Sequence, residues 1–324
     1  MAKPRVLVTS ALVKPQDEPD RRLQEAGIET VFNPPRGAHT EEQLIALLQG
    51  VEGVIAGQDR FTARVMDAAR SLKVISRTGV GYDAVDVAAA TARGVAVCTT
   101  PGTNKMAVAE YAFTLILACA RRLLENLSEV PRGVWKRHEG QDLFGGTIGI
   151  VGLGSIGKEV ALRAHAFGMR VLAHDVVRDE AFAAEQQVGY VSLEDLLMES
   201  DFVTLHTFLD KGSYHLINAE RLALMKPTAY LINTARGGIV DVQALARALK
   251  EGRIAGAALD VFEEEPLPAD SPLRGLDNAY LSAHVAAITR QTNHATALMA
   301  AENAIRVLRG ERPLYLVNPE AVQR

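Results

Sequence analysis

Thr147-Ile148-Gly149-Ile150-Val151, followed at once by Gly152-Leu153-Gly154-Ser155-Ile156-Gly157, is the stretch on which the fold turns. The first five residues read as a buried strand, and Lys158–Phe167 beyond the glycines reads as a helix. Glycines at G-x-G-x-x-G spacing between a strand and a helix each have a physical purpose. The first permits a tight turn, the second lets a pyrophosphate approach the backbone, and the third packs helix on strand, while the helix N-terminus offers N–H donors to the phosphates. A second strand, Arg170–His174, ends at Asp175, 18 residues beyond Gly157, where a carboxylate can accept both hydrogen bonds of an adenosine ribose and repel a 2′-phosphate. NAD is therefore expected over NADP, held by Gly152, Gly154, Ser155, Ile156, Gly157 and Asp175. The bland alternative is a tight strand–helix turn beside a solvated aspartate.

Working outward, the same alternation fills the chain. Val6–Thr9, Thr30–Phe32, Val54–Ala56, Lys73–Arg77 and Val95–Cys98 read as strands. They are separated by helical segments at Asp20–Ala26, Glu41–Leu48, Thr62–Ala69 and Asp86–Arg93, which predicts a parallel α/β domain. A turn-rich break at Thr99–Thr103 precedes one long helix, expected from Asn104 to Leu124 and apolar on most of its surface. The stronger second alternation runs from Thr147 to about Ser282, and a helix over Thr289–Arg309 follows it. The fold class is thus α/β, with two doubly wound parallel sheets.

Composition narrows the function. The 324 residues hold 35 Lys+Arg against 39 Asp+Glu, a net charge of −4 that gives no general attraction to nucleic acid or anionic membrane. Two cysteines, Cys98 and Cys119, exclude a disulfide framework or a cysteine zinc cluster, and each sits in an apolar run as a small hydrophobe. Met106–Ala120 is too short and, at Glu110, too polar to cross a bilayer, and Val6–Val8 is too short for a signal-peptide core. A soluble cytoplasmic protein with no metal is expected.

In open parallel sheets ligands bind beyond the carboxyl ends of the strands, so charged residues there are the candidates. Arg236 follows Leu231-Ile232-Asn233-Thr234-Ala235, Asp260 follows Ala257-Ala258-Leu259 with Glu265 just beyond, and His284 follows Tyr280-Leu281-Ser282-Ala283. Hydride transfer to a keto acid needs a cation to grip the carboxylate and polarise the carbonyl, and a proton donor of near-neutral pKa. Arg and His supply these, and a carboxylate beside the imidazole would orient it and favour its protonated form. His206 also ends a strand, Asp201–Leu205, and competes for the role of acid. Glu265 on a neighbouring strand end favours His284. Glu263 and Glu264 read as a solvated acidic turn.

The sequence resembles the D-isomer-specific 2-hydroxyacid dehydrogenases, in particular short phosphoglycerate dehydrogenase-like members, over nearly its whole length. The resemblance rests on Gly79-Val80-Gly81-Tyr82-Asp83, Thr100-Pro101-Gly102 with Val108-Ala109-Glu110, the glycine loop, Asn233-Thr234-Ala235-Arg236-Gly237, Asp260-Val261-Phe262 with Glu265-Pro266, and His284. It implies Arg236, Glu265 and His284 as the catalytic set, with Asp260 near the nicotinamide carboxamide and His206 and Thr234 also among the cofactor contacts. Backbone amides of Val80 and Gly81 would join Arg236 in holding the substrate carboxylate. It further implies a discontinuous substrate domain, residues 1–101 plus 287–324, hinged on a cofactor domain, 102–286. A homodimer would form through the helix at Met106–Leu124 and the arm after it. Phe208, Asp210, Ala283 and Ser155 depart from the common pattern. The substrate stays open among 3-phosphoglycerate, glyoxylate or hydroxypyruvate, and pyruvate; the resemblance favours a phosphoglycerate-type acid, with Arg60 and Lys105 as candidate phosphate cations. The alternative on the same fold is an NAD-sensing interaction protein of corepressor type.

Overall fold

The structure, a computed structural model, describes residues 3–34 and 38–322. The chain divides into two compact units, Met1–Asn104 with Thr289–Arg324, and Lys105–Ile288. The first is built in the order β1 (Arg5–Val8), α1 (Glu18–Glu25), β2 (Glu29–Phe32), α2 (Glu41–Leu47), β3 (Gly53–Ala56), α3 (Ala63–Ala68), β4 (Val74–Arg77), α4 (Val87–Ala92) and β5 (Ala96–Cys98). The second follows with α5 (Lys105–Ala120), α6 (Leu123–Glu129), β6 (Thr147–Val151), α7 (Ser155–Ala166), β7 (Arg170–His174), α8 (Glu180–Glu185), β8 (Gly189–Tyr190) and α9 (Leu193–Glu199). It continues through β9 (Phe202–Leu205), α10 (Ala219–Leu222), β10 (Tyr230–Asn233), α11 (Val242–Lys250), β11 (Gly256–Leu259) and β12 (Ala279–Leu281), after which α12 (Arg290–Leu308) returns to the first unit.

Both sheets are parallel, and both are covered on two faces, which is why their strands are continuous apolar runs. In the first unit the order is β2-β1-β3-β4-β5. Leu7, Val54, Ile75 and Val97 face α2 and α3, and Val6, Val8, Ile55 and Val74 face α1 and α12, the period-two alternation of a strand. In the second unit the order is β12-β11-β10-β9-β6-β7-β8. Ile148, Ile150, Phe202 and Ile232 pack toward α5 and α7. Val203, Leu205, Leu231 and Leu259 pack toward α9 and α11. Chain direction across this sheet reverses between β6 and β9, and the crevice beyond their carboxyl ends is where such sheets bind ligands.

The long helix predicted to Leu124 is instead two. α5 ends at Ala120, and Arg122 takes a left-handed conformation (φ 45°) before α6 begins. Its end is sealed from elsewhere: the Gln141 N–H donates to the Ala120 carbonyl at 2.7 Å and the Asn126 amide to Arg121 at 3.2 Å. No glycine or proline marks that break, so the sequence pattern runs through it. Cys98 and Cys119 are free and buried, and burial pushes both thiols up to about 12. No helix among the described residues is long and apolar enough to cross a membrane.

Candidate active site

Strands β6, β7 and β9 to β12 of the second sheet each deliver one part of the site. At the end of β6, Gly152 turns with φ +94°, and a Cβ there would lie 2.7 Å from the His206 backbone, so only glycine lets the loop pass. At Gly157 a Cβ would come within 2.2 Å of the Gly152 carbonyl oxygen, which keeps α7 tight on its strand. Gly154 is the N-cap of α7 and gives it no side-chain cap, and a Cβ built there meets nothing within 4 Å. A helix start without a capping side chain, under open space, suits a pyrophosphate.

Asp175 lies one strand away, beyond β7. Its Oδ2 accepts the Leu153 N–H of the glycine loop at 2.7 Å and its Oδ1 accepts the Val177 N–H at 3.0 Å. The carboxylate is thereby fixed beside the loop, with a lone pair on each oxygen still available. Val176 and Val177, beyond it, are exposed.

On the other side of β6, His206 follows β9. Its Nε2 is 2.9 Å from Thr204 Oγ1, while its Nδ1 is buried and finds no hydrogen-bond partner among the described residues. Burial pushes this imidazole down to about 3, so it stays neutral near pH 7. Thr234, beyond the adjacent β10, likewise has a buried Oγ1 with no hydrogen-bond partner among the described residues. Two enclosed polar atoms on neighbouring strand ends call for a polar ligand, and a carboxamide-bearing nicotinamide has the chemistry to meet them. The residues present fit NAD. Asp210 does not pair with His206: its Oδ1 accepts the Gly212 and Ser213 N–H groups at 2.8 and 2.9 Å, and these bonds hold its carboxyl below the usual range.

Arg236 comes just after β10, in a turn made by Asn233. The Asn233 amide donates to the Arg236 carbonyl at 2.8 Å and its Oδ1 accepts the Ala235 N–H at 3.0 Å. Beyond β11 and β12, Glu265 Oε2 is 2.8 Å from His284 Nδ1 and its Oε1 accepts the Phe262 N–H at 3.0 Å. Burial works to raise the Glu265 carboxyl. The hydrogen bonds from His284 and Phe262, with the charges of His284 and Arg236, outweigh it and hold the group below its ordinary value. His284 itself sits at φ +52°, a strained conformation for a residue with a Cβ.

Asp260, expected among the cofactor contacts, is fully buried and holds that strained loop. Its Oδ1 accepts the Ser282 hydroxyl at 2.6 Å and the Val285 N–H at 2.9 Å, and its Oδ2 accepts the Ala286 N–H at 2.8 Å. Asp260→Ala leaves these donors without partners, and a loss of about 3 kcal/mol follows from roughly 1 kcal/mol each. A lowered urea midpoint with a fall in turnover is the expected outcome, and an unchanged midpoint contradicts it.

In the other unit, Val80 and Gly81 lie past the carboxyl end of β4, in a loop whose Gly79 carbonyl accepts the Thr100 N–H at 3.0 Å. Lys105, a candidate phosphate cation, is paired with Glu159 at 2.9 Å. Glu263, read as solvated, is hydrogen-bonded to Tyr214 at 2.7 Å, a partner 49 residues away that no local pattern announces.

A sequence model of the D-isomer specific 2-hydroxyacid dehydrogenase NAD binding domain matches residues 113–286. A relative named glyoxylate reductase, from Korarchaeum cryptofilum, is 44% identical over 330 residues, spanning 99% of this chain and 98% of that protein. Among solved structures, the TT0316 protein of Thermus thermophilus superposes with a TM-score of 0.89 at 41% identity, covering 97% of this chain and 99% of that one. D-lactate dehydrogenase from Aquifex aeolicus, solved with NAD and lactic acid, gives a TM-score of 0.83 at 29% identity, covering 97% and 98%. This chain belongs to the D-isomer specific 2-hydroxyacid dehydrogenase family and is an NAD-dependent oxidoreductase that interconverts a small D-2-hydroxy acid and its 2-keto acid.

Proposed function

We propose that the chain reduces glyoxylate or a comparably small, unphosphorylated 2-keto acid, with Arg236, Glu265 and His284 as its catalytic residues. NADH, when bound, supplies the hydride. Arg236 binds the keto-acid carboxylate and polarises the carbonyl as negative charge develops on its oxygen. His284, bonded through Nδ1 to Glu265, presents Nε2 and donates the proton that the new hydroxyl needs. Glu265 keeps the imidazole oriented and stabilises its charged form. The observation that carries the reading is the 2.8 Å Glu265–His284 pair on the strand ends next to Arg236.

A small substrate is supported by the Lys105–Glu159 pair, which neutralises one of the two candidate phosphate cations, and by the relatives named glyoxylate reductase. The test is kcat/KM with NADH for glyoxylate, hydroxypyruvate, pyruvate and 3-phosphohydroxypyruvate. Glyoxylate or hydroxypyruvate leading is the expected order, and the phosphorylated acid leading overturns it.

In this reading Lys105–Ile288 binds the cofactor through Gly152, Gly154, Ser155, Ile156, Gly157, Asp175, His206 and Thr234, and Val80 and Gly81 of the other unit hold the substrate carboxylate by their amides. Asp175 sets cofactor choice. Asp175→Ser is expected to weaken NADH binding about tenfold, the worth of roughly one charged hydrogen bond, and to narrow the gap to NADPH. Wild-type enzyme that uses NADPH as well as NADH contradicts the assignment. A homodimer is supported by the exposed apolar run of Leu124, Leu127, Val130, Trp135 and Phe144 on α6 and the arm after it. Light scattering that reads a monomer excludes it. Residence in the cytoplasm goes with two free cysteines.

A further inference from the structure

We propose that Glu263, with Tyr214 and His215, is a positioning group that fixes the loop carrying Glu265; this rests on the catalytic reading above. Tyr214 Oη donates to Glu263 Oε1 at 2.7 Å, and His215 Nε2 stands 3.5 Å from Glu263 Oε2. The Tyr214 and His215 rings stack, centroids 4.0 Å apart and planes 16° from parallel, so one carboxylate spans two adjacent aromatic edges. The Tyr214 phenol is pushed up, first by its hydrogen bond to Glu263 and also by burial and by the charges of Glu263 and Asp241.

This contact ties three loops together. His215 takes φ +50°, and its backbone N–H donates to the Gly238 carbonyl at 2.8 Å, joining the loop after β9 to the loop after β10. That second loop meets the third directly: a Cβ on Gly237 would lie 1.9 Å from the Phe262 carbonyl carbon, so the two backbones touch. Glu263 closes the ring by reaching from the third loop back to the first. Within the third loop, Phe262 donates to Glu265 Oε1, leaving Oε2 for His284. The loop that carries the Glu265 carboxylate is therefore held by the Gly237 contact and by the bonds of Glu263. Arg236, next to Gly237, shares the same support.

A slackened loop lets Glu265 draw away from His284. The carboxylate then stabilises the imidazolium less, so keto-acid reduction fails at lower pH. A role limited to folding leaves that pH limit where it was. The experiment measures kcat for glyoxylate reduction against pH at saturating NADH for wild type, Glu263→Ala, Glu263→Gln, Tyr214→Phe and Glu265→Gln, at a temperature where near-ultraviolet circular dichroism shows each folded. Glu263→Ala is expected to lower kcat about tenfold, the scale of a sub-ångström to ångström misplacement. It should move the alkaline limb downward, in the direction of Glu265→Gln but by less, with KM for NADH unchanged. Glu263→Gln, whose amide oxygen can still accept from Tyr214, should recover part of both effects, and Tyr214→Phe should share their direction. If Glu265→Gln moves the limb while Glu263→Ala keeps the wild-type kcat and limb, the positioning role is overturned and the catalytic reading stands. If Glu265→Gln itself leaves the limb unmoved, the catalytic reading fails and this inference falls with it.

Discussion

His284→Ala lowers kcat for keto-acid reduction by on the order of 10²-fold or more, the usual size of general acid catalysis, while NADH affinity stays near wild type. The imidazole follows the edge strand β12, and its Nδ1 is engaged by Glu265. The backbone there is strained at φ +52°, and the buried Asp260 supplies three hydrogen bonds that keep it so. Strain held in place by a buried carboxylate costs stability, and an orientation needed for proton transfer gives it a use. The cofactor contacts proposed at β6, β7, β9 and β10 do not include this ring, so titration of NADH fluorescence should read the same dissociation constant. A His284→Ala enzyme with near-normal kcat removes the proposed acid.

Arg236→Lys is expected to lower kcat/KM for the keto acid by on the order of 10²-fold, comparable to loss of a donor aimed at developing negative charge. Lysine keeps the charge. What it cannot keep is the planar fork that grips a carboxylate with two parallel hydrogen bonds and leaves a donor for the carbonyl. Asn233 fixes the backbone on both sides of this turn, so the chain will not shift to bring a shorter point charge to the same place. The effect should fall on the keto acid, with NADH affinity altered far less. Equal activity for the lysine variant contradicts the bidentate role.

The alternation of strands and helices is legible because buried parallel strands are apolar runs and α1, α4, α7, α11 and α12 are each followed within two residues by glycine. The glycine loop was legible for a stricter reason, since Gly152 and Gly157 meet backbone that admits no Cβ. Arg236, Glu265 and His284 stood out as charges where a strand ends. Contacts between distant segments were not legible. The place of Asp260 at a strand end does not show that it accepts from N–H groups 25 and 26 residues on. Lys105 reads as a free cation, but Glu159, 54 residues away, pairs with it. Glu263 is exposed, as its acidic turn implies, but its bond to Tyr214, two loops back, was not legible. The break after Ala120 is made by Gln141 and Asn126, and a helical pattern carries no sign of what will cap it from outside.

The central claim is that the proton comes from His284 and not from His206. His206 also ends a strand, but burial pushes its imidazole down to about 3, so near pH 7 it is neutral and carries no imidazolium proton. The direct measurement is a single turnover of NADH oxidation by His206→Ala, followed by stopped flow at saturating NADH and glyoxylate. The predicted result is a weaker NADH complex whose chemical step keeps a rate near that of wild type. A chemical step abolished in His206→Ala with NADH bound, beside a His284→Ala enzyme that still turns over, would exchange the two roles.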